Sequence, residues 1–171
     1  ITVDGSIGDW LQEENMGLRN GNTFYFTWSS TAVYIAYAGP DADTAAADFF
    51  VLFDTHTDYT SPGGSLSPVA NWDGAENHVL PFRADYALCV EGDYKAVRNW
   101  TGSEWNDPGN GVGIAAVSLG AAVNEIAISR AYLSNPSKLR VLFFHKWDTQ
   151  KNVYNAYPIE NPAPNTETDV Q

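Results

Sequence analysis

Residues 39–64 read GPDADTAAADFFVLFDTHTDYTSPGG, and this stretch decides the fold. At its centre, residues 49–53 form a run of five apolar side chains that is rich in aromatic and β-branched types. The run is too short for a helix, and its composition is typical of a strand that is buried on both faces. It therefore predicts a central β-strand that other elements cover on both sides.

Acidic residues flank this central run, and the same stretch contains no Lys or Arg. They are Asp41, Asp43 and Asp48 before the run, and Asp54 and Asp58 after it. Uncompensated carboxylates beside a buried strand repel one another, unless they are solvated or a hard cation lies among them. Two interpretations stay open: these residues are solvated loop acids, or a subset of them binds calcium.

The composition limits the class of protein. A chain of 171 residues can form one sizeable core, and 44% hydrophobic against 18% charged residues is typical of a folded domain. The formal net charge of -12 repels phosphate backbones and anionic lipid, so nucleic acid and membrane surfaces are poor partners. No stretch reaches the ~18 apolar residues of a membrane span. Cys89 stands alone in an apolar run, which predicts an inert buried thiol.

Outside the central run, short alternating segments separated by turn residues indicate further strands. They lie at Thr23–Trp28, Ala32–Ala38, 84–91, Tyr94–Trp100, 101–106, 111–118, 124–129 and 139–147, with a possible final edge at 154–157. Turn signals at roughly 8–12-residue spacing, with almost no helical periodicity, predict an all-β protein with an antiparallel two-sheet β-sandwich. We expect a single module over residues 1–159, followed by a polar, proline-containing tail or linker over residues 160–171.

Several motifs in chain order resemble a known family. The opening DG-x-x-x-DW comprises Asp4, Gly5, Asp9 and Trp10, and it is followed by VYIAY, DFFVLFD, EIAIS and LRVLFF. This order resembles the DOMON-like β-sandwich domains that include the family 9 carbohydrate-binding modules. The resemblance covers most of residues 1–150. Similar domains are appended to secreted bacterial glycoside hydrolases and to cell-surface proteins.

The resemblance implies a jelly-roll-like sandwich, calcium held by loop acids and, in some members, a sugar gripped between two tryptophans. Asp4 and Asp9 match the opening motif, and Asp48 and Asp54 match the acids that bracket the central strand. Together with the loop acids noted above, the expected calcium ligands are Asp4, Asp9, Asp41, Asp43, Asp48 and Asp54. Residues 55–110 depart from the module's usual pattern, so the resemblance does not place the sugar-binding tryptophans.

A sugar presents apolar CH faces that stack on aromatic rings, and its hydroxyls bind nearby amides, carboxylates or Arg. Four aromatic residues in polar surroundings fit that description: Tyr59, Trp72, Trp100 and Trp105. The alternative is that each ring covers an edge of the sandwich, which is normal for aromatic side chains. Trp10, Trp28 and Trp147 lie in apolar alternation, and this pattern predicts core positions for them.

Catalysis finds no support in the sequence. A glycosidase needs two converging carboxylates, and nothing in the spacing pairs the glutamates. The histidines show no metal-binding spacing, and no nucleophile motif occurs. We therefore expect a non-catalytic module that binds a polysaccharide or oligosaccharide within a larger secreted or cell-surface bacterial protein. A start at Ile1 rather than Met fits such a module. The alternative is a structural or adhesion domain that has no small ligand.

Overall fold

The computed structural model describes residues 1–18, 20–56, 63–67, 80–147 and 153–158. Within these residues ten β-strands and one short 3-10 helix, η1 (Gln12–Glu14), make up the regular structure. The strands are β1 (Thr23–Trp28), β2 (Ala32–Ala38), β3 (Ala47–Asp54), β4 (Tyr86–Glu91), β5 (Tyr94–Trp100), β6 (Trp105–Asn106), β7 (Ile114–Leu119), β8 (Val123–Ser129), β9 (Arg140–Trp147) and β10 (Val153–Tyr157). The tail expected over residues 160–171 lies outside the described residues.

The strands form two antiparallel sheets that pack face to face, which confirms the predicted all-β sandwich. One sheet has four strands in the order β1-β2-β8-β7, and the other has six in the order β10-β9-β3-β4-β5-β6. The central strand β3 pairs with β4 on one side and β9 on the other. Its Phe50 lies opposite Cys89 of β4 and Phe144 of β9.

The central strand is covered on both faces, as its sequence predicts. All eight residues of β3 are buried. Phe49, Val51 and Phe53 lie in the core between the sheets, where they join residues of the four-stranded sheet. The alternate residues Phe50 and Leu52 belong to a second apolar cluster on the outer face of the six-stranded sheet. That cluster also includes Leu80, Ala84, Cys89, Leu142, Phe144 and Trp105.

The opening segment, residues 1–10, covers the outer face of the four-stranded sheet. Trp10 is buried there and lies with its ring centroid 5.5 Å from that of Tyr25. Beneath it, Glu125 of β8 is fully buried, and its Oε2 accepts hydrogen bonds from the backbone N–H groups of Asp4, Gly5 and Ser6 at 2.6–3.1 Å. Its Oε1 accepts the Trp10 indole N–H at 2.8 Å.

This arrangement explains the DG-x-x-x-DW motif in physical terms. Gly5 has a φ of +88°, a conformation that favours glycine and lets three successive N–H groups point at one oxygen. A buried carboxylate needs several donors to compensate for its lost hydration, and the opening segment supplies four. Glu125 therefore fixes the opening segment to the sheet.

Glu125→Gln should lower the free energy of unfolding by about 1.5–3 kcal/mol. The hydrogen bonds to a charged acceptor are lost, and the –NH₂ group of the new glutamine faces an N–H donor of the opening segment or of Trp10. Urea unfolding followed by tryptophan fluorescence measures this change. Glu13→Gln makes the same substitution at an exposed position in η1 and should stay within about 0.5 kcal/mol of the wild type. Equal stabilities of the two variants would contradict the anchoring role.

Candidate functional site

The structure places two of the four predicted sugar-binding aromatics, since Tyr59 and Trp72 lie outside the described residues. Trp105 is only 8% exposed, and its indole N–H donates to the carbonyl of Ser67 at 2.9 Å. Trp100 is half-buried, and its ring meets that of Trp105 edge-to-face, with the centroids 5.7 Å apart. The Trp105 ring covers the outer face of the six-stranded sheet and does not lie open to solvent, and ligand binding by this residue stays a prediction.

Trp28 shows the opposite discrepancy. The alternation of β1 predicts a core residue, but the Trp28 side chain is 62% exposed. Its ring leans on that of Phe26, with the centroids 5.9 Å apart. Trp28 is the last residue of an edge strand, so its side chain extends beyond the facing sheet that covers Phe24 and Phe26. It is the largest exposed aromatic side chain among the described residues.

Beside Trp28 lies a cleft of ≈ 310 Å³ at one end of the sandwich. This is the end where β1 and β8 finish and where β2 and β9 begin. Trp28, Val33 and Leu139 form its apolar wall. Pro136, Ser137, Arg130 and Lys138 line the rest. The cleft thus combines an open aromatic ring with hydrogen-bond donors.

Arg130 shapes the loop that borders the cleft. Its guanidinium donates to the carbonyl of Ser29 at 3.0 Å and to that of Pro136 at 2.6 Å. Ser134 and Asn135 have left-handed φ values of +66° and +52°, and the Asn135 N–H donates to the Arg130 carbonyl at 2.8 Å. These contacts hold the loop that precedes β9 beside the turn between β1 and β2.

The cleft carries positive charge that no acid among the described residues neutralises. Three of the seven Lys and Arg residues in the described part of the chain, namely Arg98, Arg140 and Lys146, form ion pairs with carboxylates. In that same part of the chain, no carboxylate lies within ion-pair distance of Arg130 or Lys138. The Arg130 partners are neutral carbonyls, and Lys138 is exposed.

Sequence reasoning did not select Arg130, Ser137 or Lys138. The available signal was the scarcity of cations. The chain has only nine Lys and Arg residues, and Arg130 precedes the Asn135-Pro136 turn while Lys138 follows it. Turn residues of this kind bring flanking side chains close together. The identity of the neighbouring aromatic residue depends on the sheet topology, which the sequence pattern did not specify.

The acids expected to bind calcium lie at separate places. Asp4 accepts the N–H of Ser6 at 2.9 Å, and Asp9 accepts that of Thr2 at 2.6 Å, both in the opening segment. In the loop between β2 and β3, Asp43 accepts the N–H of Ala45 at 3.0 Å. Asp41 in that loop accepts the side-chain amide of Asn22 at 2.7 Å. Three of these carboxylates bind within their own segment, and Asp41 binds the neighbouring loop that precedes β1.

Asp48 and Asp54 lie at opposite ends of β3, and each faces a cation directly across β9. Asp48 is in register with Lys146, and Asp54 with Arg140. The Lys146 ammonium lies 3.1 Å from Asp48, and both side chains are fully buried. The Arg140 Nε lies 3.8 Å from Asp54. These two predicted metal ligands are therefore paired with lysine and arginine in the structure.

One group in the described part of the chain could converge on a metal ion, and it contains Asp54, His56 and Asp85. The His56 Nδ1 lies 2.9 Å from Asp85 and 3.4 Å from Asp54. Asp85 also accepts the Thr55 N–H at 2.8 Å, so the group ties the end of β3 to the start of β4. A Cβ at Gly63 would overlap the His56 imidazole, which shows how closely the backbone approaches that ring.

This group does not fit calcium. Calcium takes six to eight oxygen ligands, whereas the group offers two carboxylates and an imidazole nitrogen that already contacts both. The other expected ligands are distributed over the opening segment, the β2–β3 loop and the far end of β3. Among the described residues, no other group of three or more acidic, histidine or cysteine side chains converges. Calcium binding therefore stays a prediction, and it takes no part in the function proposed below.

The chain matches no family model. Searches among curated proteins and among solved structures find no match either. The described residues contain no helix with the length and hydrophobicity to cross a membrane. The resemblance to family 9 carbohydrate-binding modules therefore stays a prediction.

At the other end of the sandwich, His145 is enclosed by aromatic rings. It is 1% exposed, its Nδ1 lies 3.3 Å from the Tyr37 hydroxyl, and its ring contacts Trp147 and Tyr154 edge-to-face. Burial, together with the neighbouring Lys146 ammonium, lowers the pKa of His145 to about 3. The imidazole is therefore neutral at physiological pH.

Lys146→Met should lower the free energy of unfolding by about 3–5 kcal/mol, because the buried Asp48 carboxylate loses its cation. The double variant Lys146→Met with Asp48→Leu should recover most of that loss, since an apolar pair replaces the ion pair. Chemical denaturation of both variants measures the effect. A single-variant cost below about 1 kcal/mol, as for exposed pairs, would contradict this interpretation.

His145 should make stability fall on acidification. Its folded-state pKa of about 3 lies below the unfolded-state value of about 6.5, so the unfolded chain binds the extra proton between these values. The free energy of unfolding should therefore decrease as the pH drops through this window. Urea titrations of the wild type and His145→Phe between about pH 7 and pH 4 isolate the contribution of His145, since the two proteins share all their other titratable groups. Parallel pH profiles for the two proteins would refute it.

Proposed function

We propose that this chain is a non-catalytic module that binds carbohydrate in the cleft beside Trp28. The exposed Trp28 ring is the observation that carries the proposal, because the rest of the described aromatic surface is packed or half-buried. An open indole offers an apolar, electron-rich face of the kind on which the CH groups of a sugar stack. Burying such a face against a ligand also removes an exposed apolar surface from water.

The polar wall of the cleft supports the same proposal. Small-ligand sites are concave and mostly apolar, with a few placed polar groups that fix the orientation of the ligand. Val33 and Leu139 provide the apolar part, whereas Arg130, Ser137 and Lys138 offer donors to sugar oxygens. The volume of ≈ 310 Å³ lies at the small end of ligand pockets, which favours one terminal or projecting sugar unit.

The lining also supports a binding role without catalysis. Glycoside hydrolysis requires two carboxyl groups that flank the scissile bond, and none of the described residues that line the cleft is acidic. A module of this kind attaches a longer secreted or cell-surface protein to its glycan. This wider context rests on the family resemblance.

A structural or adhesion domain is the second candidate. The observation that favours it is the burial of Trp105 against the six-stranded sheet, together with the edge-to-face contact of Trp105 and Trp100. Under this alternative the Trp28 surface contacts another protein domain and binds no glycan.

Trp28→Ala should weaken the binding of the recognised glycan at least about tenfold, because it removes the stacking surface. The glycan is first identified on an array of plant, algal and bacterial polysaccharides, and its affinity is then measured by calorimetry. The exposed position implies a change in unfolding free energy within about 0.5 kcal/mol. Trp28→Phe, which keeps an aromatic face, should retain part of the affinity.

Trp100→Ala is the matched control, since Trp100 lies on the other sheet and packs on Trp105. It should leave glycan binding unchanged while lowering stability. Absence of binding to every glycan would refute the proposed function and favour the adhesion alternative. Wild-type affinity in Trp28→Ala would exclude the cleft as the binding site.

A further inference from the structure

We infer that the sugar bound beside Trp28 carries a carboxylate, so that the ligand is a glycan bearing uronic acid units. This inference rests on the proposed carbohydrate-binding function. It adds the chemical class of the ligand, and it is argued from the hydrogen-bonding character and the charge of the cleft.

The first argument is the character of the polar groups. Lysine and arginine donate hydrogen bonds and accept none, whereas a carboxylate accepts and does not donate. Among the described residues that line the cleft, the polar side chains are Arg130, Lys138 and Ser137, and none of these residues is Asp, Glu, Asn or Gln. The hydroxyl groups of a neutral sugar would find few side-chain acceptors there. A carboxylate complements such a wall.

The second argument is the charge of the cleft. Within the described part of the chain, the Lys138 ammonium and the Arg130 guanidinium have no carboxylate within ion-pair distance. Two cations of like sign that line one cleft repel each other, and an anion placed between them relieves this repulsion. Charged pairs of this kind form the shortest and strongest hydrogen bonds.

The third argument is the way in which Arg130 is held. A guanidinium has five N–H donors in a planar fork, and the carbonyls of Ser29 and Pro136 each take one. Further donors stay available, and the group is already fixed in place, so little rotational freedom is lost when a ligand binds. A carboxylate matches the planar geometry of the fork better than a hydroxyl does.

The probes are oligosaccharides of glucuronoxylan, alginate and pectin, each measured beside its own carboxyl methyl ester. The ester keeps the rings and linkages and removes the charge. The wild type should bind at least one acid form, and it should bind the matching ester at least about fivefold more weakly. This comparison requires no variant, so a folding defect cannot obscure the result.

Lys138→Gln should weaken binding of the acid form roughly fivefold and binding of the ester much less, because glutamine keeps a hydrogen-bond donor and removes only the charge. Lys95→Gln removes the same charge from β5, outside the cleft, and should change neither affinity. The Arg130 side chain holds the loop, so Lys138 is the position that separates ligand binding from folding.

The outcomes distinguish this inference from the proposed function. Equal affinity for acid and ester, with loss of both in Trp28→Ala, overturns the carboxylate and keeps the carbohydrate site. Equal binding of a sulfated oligosaccharide that lacks carboxylates also overturns the inference, because charge alone would then be recognised. Absence of binding to every acidic and neutral glycan overturns the proposed function itself.

Discussion

The pairing of β3 with β9 is the constraint on which the remaining structure depends. Five apolar residues lie between Asp48 and Asp54, and Ala47 precedes them in the strand. Each acid faces a cation directly across the ladder, Asp48 facing Lys146 and Asp54 facing Arg140. A shift of one residue would move every side chain of β3 to the opposite face, and it would also separate the buried Asp48 from its lysine. Apolar burial drives the association of the two strands, and the charge pairs at both ends select one register.

The same requirement for compensation accounts for the acids elsewhere in the fold. Glu125 is satisfied by three backbone N–H groups and an indole, and Asp85 by Thr55 and His56. Asp41 and Asp43 bind groups of their own loop or its neighbour. Acids that shape loops, anchor segments or balance buried cations have at least one oxygen already engaged. An acidic sequence window is therefore weak evidence for a metal site, because protein donors compete for the same oxygens.

The sequence predicted the strands well because each has a local cause, such as the apolar run at residues 49–53 or the alternation in β9. The site was harder to predict, as the two tryptophans Trp28 and Trp105 show. Alternation assigns a side chain to one face of a sheet, but the cover over that face comes from residues distant in sequence. Trp28 lies on the core face of β1 and extends past its cover, whereas the polar surroundings of Trp105 conceal an apolar cluster built from residues 80–84 and β9. Both discrepancies arise from long-range packing, which a local pattern does not contain.

A protein with a net charge of -12 would be expected to repel an acidic sugar, but the arrangement of its charges decides the matter. The acids of the β2–β3 loop and of the β4–β5 turn border a separate cleft, at the end of the sandwich opposite Trp28. Strands of seven or eight residues separate these two ends by about 23–26 Å, at about 3.3 Å per residue. That separation exceeds the Debye length of about 8 Å at physiological salt, so the distant acids act only weakly at the cleft. At the end of the sandwich that carries Trp28, Asp54 is paired with Arg140, and Asp85 contacts the His56 imidazole. Among the described residues, Arg130 and Lys138 are consequently the unpaired charges that line the cleft, and an anionic site is physically compatible with an acidic chain.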